Sequence, residues 1–385
     1  MKILFIKEKR GEIEGTGRNL LNRCIELNLR NIPYLVLYNN DTDSLYKLMV
    51  KYNVNVKYLN FPVHSPKNIL YKYPKIVLYR HKIGAICKKE HITHIHVHNG
   101  YLLSFLDKDW GLPITAHHHM PVFNEEYKKL PYFHFKNIFK PKKLINDIYN
   151  KVSVFNYSKA DMNIAVSSDI AKVANINFSI PNEKIKVVYN GTSKLLTKNF
   201  SNIRKEFNVK DDDVLVLCVA TLRGVKGVEE FCEVAKQMQE NKKIKFIFVG
   251  GSKDLAYEEM IYHKYNKYVE FTGERMDIDS FYQSSDIFLF LTYREGCSNS
   301  LLEAMSFGLP SIIWNVTGNR DLIKNDYNGR VCEFKDIASV KKSLIMLCDK
   351  KIRGNFSVNT LSESKKYSMK KNTNEILSII NRLGK

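Results

Sequence analysis

The sequence predicts an α/β fold made of two doubly wound parallel sheets, one per domain, facing each other across a cleft. Three observations carry this. Short apolar runs alternate with amphipathic stretches, the rhythm of βαβ units. That rhythm occurs separately in each half of the chain. The 385 residues are about twice a common domain length, and the 44% apolar content excludes a disordered or fibrous protein.

In the N-terminal half the strands are expected at Ile3–Ile6, Tyr34–Tyr38, Ile92–His98, Ile114–His117, Met162–Val166 and Lys186–Tyr189. Each is a short run rich in β-branched or aromatic residues, as buried parallel strands are. Gly15 and Gly17 precede an amphipathic helix over Arg18–Leu29. From Asn190-Gly191 to Phe200 the strand pattern stops in a Gly/Ser/Thr/Asn-rich stretch, which marks the boundary. The second half offers strands at Val214–Ala220, Lys245–Val249, Val269–Thr272, Ile287–Leu291 and Ser311–Trp314, with helices over Val228–Asn241 and Asn299–Phe307. The domains are therefore expected over 1–195 and 196–367, with an amphipathic helix in 368–385 packing back on the first.

Charge is unevenly placed. Residues 1–200 hold 31 Lys/Arg against 15 Asp/Glu, whereas residues 201–385 hold 29 against 25. An excess of this kind favours an anionic partner and says nothing about fold. The seven cysteines are scattered without a Cys-x-x-Cys, so reduced buried thiols are expected rather than a disulfide framework or a zinc cluster. The start carries only four consecutive apolar residues before Lys7, and no run reaches the roughly 18 needed to span a bilayer. A cytoplasmic chain is expected, lying at most on a membrane surface.

The most informative segment runs from Arg294-Glu295-Gly296-Cys297-Ser298-Asn299-Ser300-Leu301 through Glu303 to Gly308-Leu309-Pro310. It follows the expected strand Ile287–Leu291, and so opens at a carboxyl end, where open α/β sheets bind ligands. Small polar residues lead into a helix whose first amides can hold phosphate, here those of Ser298, Asn299, Ser300 and Leu301. Glu295 and Glu303 flank that terminus, and a carboxylate accepts well from vicinal sugar hydroxyls. Taken alone, Glu303 is equally a favourable acid near a helix start.

This segment resembles the Glu-x7-Glu signature of retaining nucleotide-sugar glycosyltransferases of the GT-B fold, family 4 type, whose two domains are Rossmann-like. The resemblance covers most of the chain. Gly15-Thr16-Gly17 is similar to the family's N-terminal glycine loop, and Asp161 to Ser167 and Val187 to Gly191 match further marks. Lys226-Gly227, Val249-Gly250-Gly251, Val269 to Gly273, Gly318 to Ile323 and Asn328-Gly329 follow in the family's order. The resemblance implies retaining transfer without a metal or cofactor, from a UDP- or GDP-linked sugar held mainly by the C-terminal domain. Glu303 would hold the ribose, Glu295 the donor sugar, and Lys226 the diphosphate. Glu274 or Arg275 would lie near the base, and Gly15 and Gly17 near phosphate or sugar. Two departures stand out. Thr221 occupies the place of the family's usual Arg, with Arg223 on hand as a substitute, and Glu14 replaces the first loop glycine.

Histidines cluster twice. Strand alternation puts His94, His96 and His98 on one face. His-x-His can be a zinc pair, but no acidic or Cys pattern accompanies it; no metal site is expected, and His98 is expected to reach the cleft. The run His117-His118-His119 ends the next strand. The resemblance places one histidine there on the acceptor side, near the donor sugar. His119 is the best match, with His117 and His118 as alternatives.

Residues 128–143 hold six lysines, four aromatics and no acid, a composition suited to an anionic membrane interface or to single-stranded nucleic acid. With the resemblance, the membrane is the expected partner and nucleic acid is not. The expectation is a peripheral enzyme on the inner face of the cell membrane, moving a hexose or N-acetylhexosamine onto a lipid-linked, growing cell-surface glycan. The rivals are transfer to a small soluble acceptor and a non-catalytic binder of sugar nucleotide or nucleic acid.

Overall fold

A computed structural model of the chain describes residues 1–9, 15–62, 73–119, 155–193 and 200–384. The basic segment 128–143 and Glu14 lie outside the described residues. The chain divides into two compact units, Met1–Tyr189 with Met369–Lys385, and Asn190–Ser368.

In the first unit, β1 (Ile3–Lys7), β2 (Tyr34–Tyr38), β3 (Val56–Tyr58), β4 (His94–Val97), β5 (Ile114–His118), β6 (Met162–Ala165) and β7 (Ile185–Val187) form one sheet. Their order is β3-β2-β1-β4-β5-β6-β7, with every neighbouring pair parallel. Helices α1 (Gly15–Leu29), α2 (Ser44–Lys51), α3 (Tyr73–Lys89) and α4 (Ser168–Phe178) accompany it. Register puts Phe5 beside His96 and His96 beside Thr115. That face carries Ile3, Phe5 and Val36 and packs on Leu20, Leu21 and Cys24 of α1 and on Ile376 and Ile380 of the C-terminal helix Met369–Leu383. The other face carries Leu4, Ile6, Ile95 and Val97 and packs on Ile83 and Cys87 of α3. The C-terminal helix is also tied by polar contacts. Buried Arg23 donates from Nη2 to Asn19 Oδ1 (3.0 Å) and Asn372 Oδ1 (3.1 Å), while Asn372 Nδ2 donates to the Tyr189 carbonyl at 2.7 Å.

In the second unit, β8 (Val214–Val219), β9 (Ile244–Val249), β10 (Glu270–Phe271), β11 (Ile287–Phe290), β12 (Ser311–Trp314) and β13 (Gly329–Cys332) form a parallel sheet of order β10-β9-β8-β11-β12-β13. Its helices are α5 (Ile203–Glu206), α6 (Val228–Gln237), α7 (Leu255–Tyr265), α8 (Ile278–Ser284), α9 (Asn299–Ser306), α10 (Ile337–Cys348) and α11 (Lys350–Ser364). Strand order reverses beside β8, and the carboxyl ends at such a reversal are where ligands bind in open α/β sheets.

Two short strands were not anticipated, β3 and β13, because each has only a few residues and polar members. The helix read from Arg18 begins at Gly15, so the glycine pair sits inside its first turn. Among the described residues no helix is long and apolar enough to cross a membrane.

Candidate active site

The second unit brings together residues from two loops at the carboxyl ends of β8 and β11. After β8 the chain makes a single 3₁₀ turn over Gly224–Lys226 and leaves it through Gly227 at φ 68°. A Cβ on Gly227 would lie 1.8 Å from the Leu291 carbonyl oxygen, so only glycine lets this loop close on the end of β11. Tyr293 N–H donates to the Val225 carbonyl (3.0 Å), fastening the two loops. The result is a direct ion pair, Lys226 Nζ to Glu295 Oε1 at 2.5 Å, with the Thr292 hydroxyl donating to the same carboxylate oxygen at 3.2 Å. Both partners keep some exposure, 26% for the Lys226 side chain and 14% for Glu295, so the pair remains within reach of a ligand. Gly318, at φ 79°, lies against the Glu295 and Gly296 carbonyls, where a Cβ would clash.

Helix α9 starts directly after this loop. Ser298 is its N-cap, its Oγ accepting from Leu301 N at 3.3 Å. Of the amides expected to meet phosphate, that of Leu301 is therefore engaged by the cap. Asn299 and Ser300 form the partly exposed first turn. Glu303, one turn further on, is half-buried, and Tyr282 Oη of α8 donates to its Oε2 at 3.1 Å.

The remaining expected donor residues divide. Arg223 is exposed on the approach to the 3₁₀ turn, as is Glu274 beside Gly251. Arg275 is committed elsewhere: it donates to Glu206 (2.6 Å) and Asp277 (2.8 Å) and packs over the Phe281 ring at 5.0 Å. Of the two residues read as neighbours of the base, the structure thus separates Glu274 from an Arg275 that ties α5 to α8. In the first unit, Gly15 is exposed at the start of α1, while a Cβ on Gly17 would meet Leu45 Cδ2 at 2.6 Å. Close packing on α2 accounts for Gly17.

The histidines also divide. His118 points to the opposite face from its neighbours, stacked on Tyr157 at 4.0 Å and paired with Asn163 Oδ1 at 2.9 Å; burial lowers its pKa to about 4. His98, His117 and His119 share a face. His98 Nδ1 meets His119 Nε2 at 3.3 Å, and the His117 and His119 rings stack at 4.6 Å. His119 is partly exposed, whereas His98 and His117 are buried. His98, expected to reach the cleft, is buried and lies with His96 on the sheet face covered by α1. Burial, and then the neighbouring charges, hold His96, His98 and His117 well below the ordinary imidazole pKa.

Sequence reasoning missed Thr292 and Tyr282, which hold the two glutamates. Thr292 directly follows the β11 run and was open to notice. Tyr282 reaches Glu303 from another helix, and no local pattern announces that.

Two doubly wound parallel sheets, with a Lys–Glu pair and a second glutamate at the carboxyl ends of one of them, define the class of GT-B glycosyltransferases. The comparisons agree. The family described as "Glycosyltransferase Family 4" matches residues 14–193, and "Glycosyl transferases group 1" matches residues 199–363. The chain is 26% identical over 289 residues to the UDP-Gal:alpha-D-GlcNAc-diphosphoundecaprenol alpha-1,3-galactosyltransferase of Escherichia coli, spanning 71% of each chain. It is 29% identical over 164 residues to the N,N'-diacetylbacillosaminyl-diphospho-undecaprenol alpha-1,3-N-acetylgalactosaminyltransferase of Campylobacter jejuni, spanning 42% of this chain and 43% of that protein. In fold it is similar to Anabaena Alr3699/HepE in complex with UDP and glucose, with a TM-score of 0.76 at 18% identity over 99% of this chain and 100% of that one. The chain belongs to the GT-B glycosyltransferases of the family 4 type.

Proposed function

We propose that this glycosyltransferase moves a hexose or N-acetylhexosamine from a UDP- or GDP-linked donor to a lipid-linked, growing cell-surface glycan, with retention of anomeric configuration and without a metal on the diphosphate. The observation that carries the donor half is the Lys226–Glu295 pair beside α9, with Glu303 one turn into the helix. Lys226 supplies the compact positive charge that a leaving diphosphate needs. The pairing with Glu295 holds the ammonium in place before the donor arrives. The Leu301 amide is capped, and the first turn at Asn299 and Ser300 faces the phosphate. Glu303, oriented by Tyr282, takes the ribose hydroxyls, and Glu295 the sugar. Arg223 and Glu274 line the approach, as a second diphosphate contact and a base neighbour. No protein nucleophile is assigned: the acceptor hydroxyl attacks from the face the diphosphate leaves, and a leaving phosphate oxygen takes its proton.

The acceptor half rests on the E. coli and C. jejuni relatives, both named for undecaprenol-diphosphate substrates, and on the basic, aromatic composition of residues 128–143. These support a peripheral position on the inner face of the membrane, with the N-terminal unit taking the acceptor and His119 on its reacting side. Nucleic acid is not assigned as a partner.

Thermal denaturation with UDP, GDP and their sugars identifies the donor, because a ligand that binds the folded form raises Tm. Glu303→Ala is expected to abolish that shift, and an unchanged shift would overturn the site assignment. Co-sedimentation with anionic liposomes is expected to pull the protein down at low salt. Full activity on a soluble acceptor with no liposome binding would favour the small-acceptor reading.

A further inference from the structure

Beneath α1 the first unit carries a column of imidazoles that the transfer reaction does not use. His96, His98 and His117 are buried, at 0%, 4% and 1% exposure. Each can offer one ring nitrogen, and these nitrogens all lie within 4.8 Å of one another. His96 Nε2 and His117 Nδ1 are 3.1 Å apart, close to the ~3.3 Å between two nitrogens that bind one tetrahedral ion at about 2.05 Å each. His98 Nε2 has no hydrogen-bond partner among the described residues, although a buried imidazole nitrogen ordinarily has one. His96 is held from its other side, Nδ1 lying 2.8 Å from Thr115 Oγ1, the outer contact that fixes a ligating ring.

We propose that His96, His98 and His117 bind a divalent transition-metal ion of the zinc type in the interior of the N-terminal unit. This assigns His98 and His117 to the ion rather than to the acceptor, and it places no metal on the diphosphate. The ion pins the ends of β4 and β5 and so fixes His98, whose Nδ1 lies against His119. Three imidazoles without thiolate or carboxylate suit Zn²⁺, Ni²⁺ or Cu²⁺ and exclude hard ions such as Mg²⁺ and Ca²⁺. The local charges oppose a cation here. Arg23 on the covering helix bears on all three rings. Buried Glu8 accepts from Asn99 Nδ2, directly after His98. The ion must bind imidazole strongly enough to offset that opposition.

The test uses full-length, untagged protein, stripped with chelator and titrated with Zn²⁺ alone, then with Co²⁺ as a spectroscopic substitute. The expected result is one Zn²⁺ per chain retained through gel filtration, a raised Tm, a tetrahedral Co²⁺ spectrum, and no response to Mg²⁺. His98→Gln and His117→Gln are expected to weaken Zn²⁺ binding by about 100-fold or more, with the surface control His81→Gln unchanged. X-ray absorption of zinc-loaded wild-type protein needs no variant and is expected to show three imidazoles on the metal. Failure to retain zinc, a coordination shell without three imidazoles, or wild-type affinity in His98→Gln would overturn the proposal.

Discussion

Lys226 Nζ and Glu295 Oε1 meet at 2.5 Å across 69 residues of sequence. The contact joins the loop after β8 to the loop after β11. It therefore reports directly on whether the two carboxyl-end loops are assembled for a donor. Lys226→Ala is expected to lower turnover by about 10²- to 10³-fold, the usual effect of losing one preorganised electrostatic contact. Lys226→Arg should not restore it, because a planar guanidinium does not replace a point charge here. Tyr282→Phe removes only the hydrogen bond that orients Glu303, so the donor KM should rise about 5- to 10-fold with kcat nearly unchanged. Steady-state kinetics separate these outcomes; full turnover in Lys226→Ala would show that the pair plays no part in transfer.

The loop closure depends on one backbone position. Gly227 sits at φ 68° with its Cβ direction aimed at the Leu291 carbonyl 1.8 Å away, so Gly227→Ala must move backbone rather than a side chain. It should cost about 3 kcal/mol and roughly 5–10 °C in Tm, with donor binding lost. Gly224→Ala is the matched control, since its Cβ would meet nothing closer than Tyr257 Oη at 3.7 Å. Equal melting temperatures for the two variants would contradict the geometry.

Such positions show where sequence reading succeeds and where it stops. The runs Val214–Ala220 and Ile287–Leu291 were legible as strands because a strand covered on both faces must be apolar throughout, and the Glu295-to-Glu303 segment was legible because its chemistry is local. Alternation put His94, His96 and His98 on one face. It could not say that α1 covers that face, since helix packing is a long-range outcome. Arg275, expected near the base, is occupied by Glu206, 69 residues away in sequence, a pairing that no local pattern announces. The edge strands Val56–Tyr58 and Gly329–Cys332 are too short and too polar for an apolar run to mark them.

Arg275 gives a prediction with a pH sign. The Asp277 carboxyl is held below its ordinary pKa of 3.8, first by its hydrogen bond from Arg275, against the raising effect of burial. A depressed carboxylate stabilises the fold fully above the unfolded pKa, and that contribution is lost as pH falls through the lower folded value. Arg275→Ala should therefore be less stable than wild type at pH 7, and the gap should shrink as pH falls below about 4. Donor KM should change little, since the side chain is occupied by Glu206 and Asp277. Urea denaturation at several pH values and donor kinetics test both halves, and a large KM effect would return Arg275 to the donor site.

The C-terminal helix offers the final prediction. Its Ile376 and Ile380 are buried beside Leu20 and Leu21 of α1, and its Asn372 is the shared acceptor for Arg23 Nε and Nη2. Burial lowers the Arg23 pKa to about 10, a sign that this guanidinium is poorly solvated and depends on its amide partners. Asn372→Ala removes one of them and also frees the Tyr189 carbonyl from its 2.7 Å contact. Leaving a buried charge short of an acceptor should cost about 2–4 kcal/mol. Ile376→Ala should cost a similar ~2–5 kcal/mol through its cavity. Because Asn372 and Ile376 lie on the same helix, truncation after Ser368 should destabilise the first unit by more than either substitution. Hydrogen exchange should then show α1 and β1 losing protection together. If α1 keeps wild-type protection in the truncated chain, the helix is not part of that unit's core.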